Sequence, residues 1–307
     1  MFYRTAENRD SRKITLERFG FICNPRAGQG CDSGLLDHTI HQLRALGHEA
    51  NLYETPFNVA ELASRALNER CTVIVAFGGD GTVSTVAGVI FQSGVTLGVF
   101  PAGTCNHFAN DLGIGNRAIA ENVLLRGRTR QIDAATVNGR LFINNSGIGI
   151  YPAMVMEREA ERRLGIARWP AFFLASCKTL ANLRFMKLEL DLNGKRLERS
   201  TSFLFVGNNI YQLQGFSPGR RARLDAGELA IVTARRSGRT GLVCIAFRAL
   251  LGSLRADRDF RELAAAQFTV RTRRATRLNV SLDGELSRMD TPLQYSILPG
   301  ALRVLAP

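Results

Sequence analysis

Phe77-Gly78-Gly79-Asp80-Gly81-Thr82 stands where an apolar run meets an amphipathic segment. The run before it, Thr72-Val73-Ile74-Val75-Ala76-Phe77, is β-branched and apolar, as a strand buried on both faces of a parallel sheet would be. Beyond it, Val83 to Ile90 has the apolar spacing of a helix, with Thr82 placed to cap it. A glycine turn between strand and helix suits a phosphate: residues without Cβ allow close backbone approach and φ > 0, and helix-start N–H groups carry partial positive charge. Gly78, Gly79, Gly81 and Thr82 then form the cradle. Asp80 is the informative exception. A carboxylate beside a polyphosphate is repelled unless a cation lies between them or it takes part in proton transfer, which points to Mg²⁺ and phosphoryl chemistry. A tight turn with a solvated Asp fits the same six residues.

Two further loops narrow that choice. Phe19 to Cys23 reads as a strand running into Asn24-Pro25-Arg26-Ala27-Gly28-Gln29-Gly30, with a helix expected from Asp32 or Ser33 to Leu46. Val95 to Phe100 reads as another strand, followed by Pro101-Ala102-Gly103-Thr104-Cys105-Asn106-His107-Phe108-Ala109. Three strands thus end in polar, glycine-bearing loops, and in an open parallel sheet such loops share the carboxyl edge where ligands bind. Asn24, Arg26 and Gly28 are expected to assist the cradle, and Thr104 and Asn106 to offer hydrogen bonds on the same edge.

Strands and helices alternate from about residue 19 to 134, including helices over 58–68 and 116–126, which predicts a doubly wound α/β domain over 17–134. From Val137 short strands dominate. Leu188 to Leu192 turns at Asn193-Gly194 into Lys195-Arg196-Leu197, a hairpin signal, and strands are expected at 203–206, 229–233, 267–270, 278–282, 295–298 and 302–305. This predicts a mainly antiparallel β domain over 135–293. Helices are expected at 153–164, 170–184 and 239–251, the second carrying Phe172, Phe173, Leu174 and Phe185 as a wall for an apolar cleft.

With 307 residues and 45% hydrophobic content the chain fills two cores. Its first ten residues are too polar for a signal peptide, and no apolar run approaches the ~20 residues that span a bilayer. Six scattered cysteines without a Cys-x-x-Cys pair read as reduced, buried thiols. Forty Lys plus Arg against 27 Asp plus Glu give a net charge of +13. Arginine clusters at 158–168, 220–223, 235–239 and 271–277 all fall in the second half, which suggests docking to an anionic membrane. No aromatic RNA-binding or DNA-binding motif accompanies them, so nucleic acid is not the expected partner.

The three loops, with Asn144-Asn145-Ser146-Gly147-Ile148-Gly149, Leu224-Asp225-Ala226-Gly227-Glu228-Leu229 and Leu282-Asp283-Gly284-Glu285, occur in the order and spacing of one family. The chain resembles the diacylglycerol kinase catalytic-domain family, the bacterial soluble lipid kinases related to sphingosine and ceramide kinases. Gly-Gly-Asp-Gly-Thr is shared with NAD kinases; the Pro-x-Gly-Thr-x-Asn-x-x-Ala loop and the late Asp-Gly-Glu point to the lipid kinase branch. The resemblance implies an ATP- and Mg²⁺-dependent kinase acting on a lipid hydroxyl at an interdomain cleft, in a cytoplasmic, peripherally membrane-associated protein. It leaves the acceptor lipid and the oligomeric state open, a homodimer being compatible. It implies that Asp283 is the base, that Thr55 lies near the nucleotide, and that the final strands, about 294–307, return to the first domain. Glu285, two residues on from Asp283 and so on its face of a strand, is expected to bind the cation or support Asp80.

Two departures stand out. His107 replaces a common Asp, with Asp111 nearby, and Ala226 replaces an Asp that many relatives use in an accessory metal site, leaving only Asp225. NAD kinase is the enzymatic alternative, and a catalytically weak lipid sensor or membrane-binding protein the non-enzymatic one. A pure binder has no chemical need for Asp80, Asp283 and Glu285 in one anion site.

Overall fold

The computed structural model describes residues 16–23, 33–54, 58–149, 185–214, 217–234, 260–273 and 275–307. Four parallel strands, β1 (Arg18–Cys23), β2 (Glu49–Tyr53), β3 (Val73–Gly78) and β4 (Thr96–Pro101), lie in the order β2-β1-β3-β4. Every residue of β3 and β4 is buried, so their continuous apolar runs meet helices on both faces. The helices are α1 (Ser33–Ala45), α2 (Val59–Asn68), α3 (Asp80–Ile90), α4 (His107–Asp111) and α5 (Arg117–Arg126). Asn58 starts α2 in a capping box with Glu61, and the Asn116 side chain accepts from the Ile119 N–H to start α5.

The remaining described residues build a sandwich and a separate two-stranded sheet. The strands are β5 (Arg128–Val137), β6 (Arg140–Phe142), β7 (Asn145–Gly149), β8 (Met186–Leu192), β9 (Lys195–Thr201), β10 (Phe203–Asn208), β11 (Tyr211–Gln214), β12 (Ser217–Arg221), β13 (Leu229–Ala234), β14 (Phe260–Ala265), β15 (Gln267–Thr272), β16 (Arg277–Leu282), β17 (Glu285–Asp290) and β18 (Leu293–Ala306). The separate pair is β11 with β12. One layer of the sandwich is an antiparallel sheet in the order β14-β13-β10-β7-β16-β17. The other continues the parallel sheet through β18-β15-β8-β9. Between them lies a second core containing Phe142, Leu190, Val206, Ile231, Val280 and Tyr295. The hairpin expected at Asn193-Gly194 is present, both residues at positive φ as a two-residue turn requires.

The two strands expected at 295–298 and 302–305 are one. β18 runs through Pro299-Gly300 with only a shift in register against β5 between Leu298 and Leu302. Gly300 takes φ +60° there and its N–H donates to the buried Asp133 (2.9 Å), so a sequence that reads as a turn is absorbed as a bulge. β5 and β18 pair along their length, and each supplies side chains to both cores: Ile132, Leu302 and Val304 to the first, Val137, Leu293 and Tyr295 to the second. The C-terminal end of β18 lies parallel to β4. A continuous two-stranded ribbon therefore joins the halves.

Three expectations are corrected. Cys23 is disulfide-bonded, to a residue outside those described, whereas Cys71 and Cys105 are free. Pairing depends on approach in space, which scattered positions do not reveal. Arg221 is not part of a surface cluster; its side chain is fully buried. Gly79, not Thr82, caps α3. The helices expected at 153–164, 170–184 and 239–251, with Phe172, Phe173 and Leu174 of the apolar wall, lie outside the described residues, and Phe185 is half-buried just before β8. No helix among the described residues is long and apolar enough to cross a membrane.

Candidate active site

Phe77 and Phe100 stack at 4.6 Å at the carboxyl ends of β3 and β4, and the ladder extends by one bond from the Ala102 N–H to the Gly78 carbonyl (2.9 Å). The glycine turn and the third loop are thereby pressed together. A Cβ on Gly103 would lie 2.5 Å from the Gly79 Cα, and one on Gly79 would lie 3.2 Å from the Gly103 Cα. A Cβ on Gly78 would lie 2.7 Å from that of Thr82, which is buried. None of Gly78, Gly79 and Gly81 has positive φ. The glycines thus serve close approach and not the left-handed turn expected of them. Gly81 differs from the other two: a Cβ there meets nothing within 4 Å.

The N-cap residue Gly79 makes no side-chain bond to the first turn of α3, which is the positive end of the helix dipole. This turn borders a cavity of about 420 Å³ lined by Asn58, Val59, Ala60, Gly79, Gly81, Thr82, Thr85 and Glu285. Glu285 comes from the β16–β17 hairpin, so the cavity lies between the α/β layer and the sandwich.

Asp80, in the first turn of α3, accepts at Oδ1 from the Phe108 N–H of α4 (3.1 Å). Asn106 takes an αL conformation before α4 and clasps its own loop, its Oδ1 accepting from the Gly103 N–H and its Nδ2 donating to the Gly103 carbonyl, both at 3.0 Å. Thr104 is exposed in the same loop. Asn24, Arg26, Gly28 and Thr55 lie outside the described residues.

Asp283-Gly284 is a hairpin turn, with φ +47° and +90°, and also a site element. The two readings coexist because the αL turn sends the Asp283 carboxylate into the interior. Its Oδ1 accepts from the N–H groups of Asn144 (2.8 Å) and Asn145 (3.0 Å), and its Oδ2 from the Ile143 N–H (2.9 Å) and the Ser84 hydroxyl (2.5 Å). Burial pushes this carboxyl above its ordinary 3.8, more than the four donors pull it down. Ser84 lies one turn beyond Asp80 on α3, so both acidic groups meet the same helix face. Neither Ser84 nor its bond to a residue 199 positions away was legible in the sequence. The reason given for Glu285 fails: it is paired across the hairpin with Leu282 and is exposed, not on a strand face with Asp283.

Asp225 accepts from Arg223 (3.1 Å) and Arg130 (3.2 Å), and the Arg223 bond foremost holds its carboxyl below the ordinary range. Its charge is thus met by two guanidinium groups. Among the described residues no three His, Cys, Asp or Glu side chains gather as a metal site.

A parallel sheet thus ends in paired glycine loops and is faced by an acidic hairpin from a β-sandwich. Residues 18–137 match the family model for the diacylglycerol kinase catalytic domain, and residues 150–306 that for the YegS C-terminal NAD kinase β-sandwich-like domain. The chain belongs to this diacylglycerol kinase family. It is 26% identical over 282 residues to a diacylglycerol kinase of Bacillus subtilis (strain 168), covering 89% of this chain and 91% of that one. To a diacylglycerol kinase of Staphylococcus aureus (strain JH9) it is 27% identical over 228 residues, 72% and 71% of the two chains. A solved structure of a putative diacylglycerol kinase from Bacillus anthracis str. Sterne shares the fold with a TM-score of 0.75 at 24% identity, over 97% of this chain and 98% of that one.

Proposed function

We propose that the protein transfers the γ-phosphate of ATP to the hydroxyl of a lipid, diacylglycerol or a relative of it, in the cleft between the parallel sheet and the sandwich. One observation carries the reading: Glu285 and the glycine turn line the same cavity while Asp283, from the same hairpin, bonds to the helix that the turn begins. The cradle fits a polyphosphate, having the positive end of the α3 dipole at its border, a glycine whose Cβ would project into open space, and a volume free of packed side chains. Asp80 and Glu285 would hold a divalent cation, which when bound offsets the charge of the phosphates.

Asp283 is the proposed base. An acceptor hydroxyl reaching it takes the place of the Ser84 hydroxyl, the one donor of the four that is a side chain and comes from the α/β layer. The three backbone donors remain and keep the carboxylate aimed. A base must be ionised, so kcat/KM should fall as pH drops through its pKa, and burial places that acid limb above 3.8. A pH–rate profile that is flat down to the ordinary carboxylate range would remove Asp283 from this role.

The identifying experiment incubates the purified protein with labelled ATP, Mg²⁺ and a total lipid extract, with NAD in parallel, and reads the labelled product by mass spectrometry. A lipid phosphate supports the proposal; NADP, or no product at all, overturns it in favour of the NAD kinase or sensor reading. We place the protein in the cytoplasm with peripheral membrane contact, through the basic strand end at Arg271 and Arg273. Arg273 pairs with Glu198 at 2.9 Å, but at 80% and 74% side-chain exposure that bond leaves the guanidinium open to a lipid headgroup. At about 1 kcal/mol per basic residue near an anionic surface, Arg271→Glu with Arg273→Glu should weaken sedimentation with anionic vesicles by roughly tenfold or more. A short-chain soluble substrate should be phosphorylated as before. Unchanged vesicle binding would move the docking surface elsewhere.

A further inference from the structure

Arg221, at the end of β12, is the most heavily engaged side chain described, and nothing in the proposed chemistry uses it. Its side chain is fully buried, and its partner Asp111 in α4 is 5% exposed. Nε donates to Asp111 Oδ2 (2.7 Å), and the Arg221 backbone N–H to Asp111 Oδ1 (3.1 Å). Nη1 donates to the carbonyls of Ile143 (2.6 Å) and Asn208 (3.1 Å), and Nη2 to the Asn144 side-chain oxygen (2.9 Å). The guanidinium also lies over the rings of Phe108 (5.9 Å) and Tyr211 (5.4 Å).

Four of these partners lead to the two acidic groups of the cleft. Asp111 and Phe108 belong to α4, whose Phe108 N–H holds Asp80. Ile143 and Asn144 turn their N–H groups to Asp283 and their oxygens to Arg221. The guanidinium is planar and rigid, so it fixes these carbonyls in direction as well as in distance. Stability alone does not account for it, because a buried ion pair is often replaced by apolar residues at no loss.

We propose that the Arg221–Asp111 pair is a positioning device for phosphoryl transfer, bolting the helix that holds Asp80 to the segment that holds Asp283. The inference rests on the kinase reading above. Arg221 touches neither substrate nor reacting atoms; it sets the separation and aim of the groups that do. A displacement of about 1 Å at such groups costs about 10²-fold in rate.

The test uses the full chain, ATP with Mg²⁺, and a short-chain diacylglycerol as the probe. Two variants are compared with the parent: Arg221→Met with Asp111→Leu, which removes the bolt without stranding a buried charge, and Arg221→Lys, which keeps the charge but loses the fork. Both are assayed well below their melting temperatures, with the folded fraction measured. The expected result is a kcat lower by about 10- to 100-fold, with ATP affinity by calorimetry within about twofold of the parent, in either variant that melts cooperatively. Should the double variant fail to fold, the Lys variant decides. A folded variant with kcat within about twofold of the parent overturns the inference, as does one that loses kcat and ATP affinity in equal measure, since that describes a fold-wide role. A parent that phosphorylates no lipid overturns the kinase reading itself and the inference with it, an outcome distinct from an active parent with an equally active variant.

Discussion

In Asp283→Asn, turnover should fall by about 10²-fold or more while ATP still binds, the usual scale for loss of a general base. The carboxylate is held by Ser84 and the amides of Ile143, Asn144 and Asn145, so the substitution also has a structural cost. An Asn presents one oxygen and an NH₂ group to four donors, and the donors facing the NH₂ lose their acceptor. Each buried donor left unsatisfied costs about 1–3 kcal/mol, so a lower melting temperature is expected beside the lost turnover. The two effects separate cleanly when rates are normalised to the folded fraction and ATP binding is measured by calorimetry. A folded Asp283→Asn protein with turnover within threefold of the parent would place the base elsewhere, with Asp80 the next candidate.

The second large effect belongs to the glycine turn, where Gly79 and Gly81 should differ in stability while both lose nucleotide affinity on substitution. At Gly81 a Cβ has open space around it and the backbone is not left-handed, so Gly81→Val should fold and melt like the parent. Its branched side chain would nevertheless stand in the cavity. Overfilling a formed site costs about 1–3 kcal/mol, which is about ten- to hundredfold in ATP affinity. At Gly79 the added carbons meet the Gly103 backbone, and two main chains cannot yield as a flexible side chain does. Gly79→Val should therefore lose both stability and nucleotide binding. Calorimetry and thermal melts on the pair test this; equal ATP affinity in parent and Gly81→Val would mean that the phosphates lie outside this cavity.

The sequence was readable wherever the cause of a structure is local. Continuous burial of β3 and β4 shows as unbroken apolar runs, the Asn58 and Asn116 caps as single residues ahead of helices, and the Asn193-Gly194 and Asp283-Gly284 turns as dipeptides that tolerate positive φ. The glycine turn was visible for the same reason, although its glycines answer to a neighbouring loop rather than to their own torsions. What stayed hidden is long-range. Ser84 and Asp283 are 199 residues apart, and Arg221 and Asp111 are 110 apart. Neither pair leaves a periodicity or a spacing, and Arg221 sat among exposed-looking arginines. Pro299-Gly300 misled in the other direction: residues that usually end a strand here mark a bulge within one, because Asp133 supplies the acceptor that the shifted backbone needs.

The ribbon of β5 and β18 also governs the order in which the molecule can be made. β4, encoded in the first third of these 307 residues, has for its neighbour a strand that is translated only after β5 to β17. Until that strand arrives, the first core lacks Leu302, Val304 and Leu305, and one edge of β4 stands unpaired beside the apolar Leu97 and Val99. The usual sequence on the ribosome, in which an N-terminal domain closes before the next emerges, is therefore not open to this protein. Its first domain is begun first and closed only after the sandwich strands have been made. A nascent chain released before β18 would present that edge of β4 to other chains.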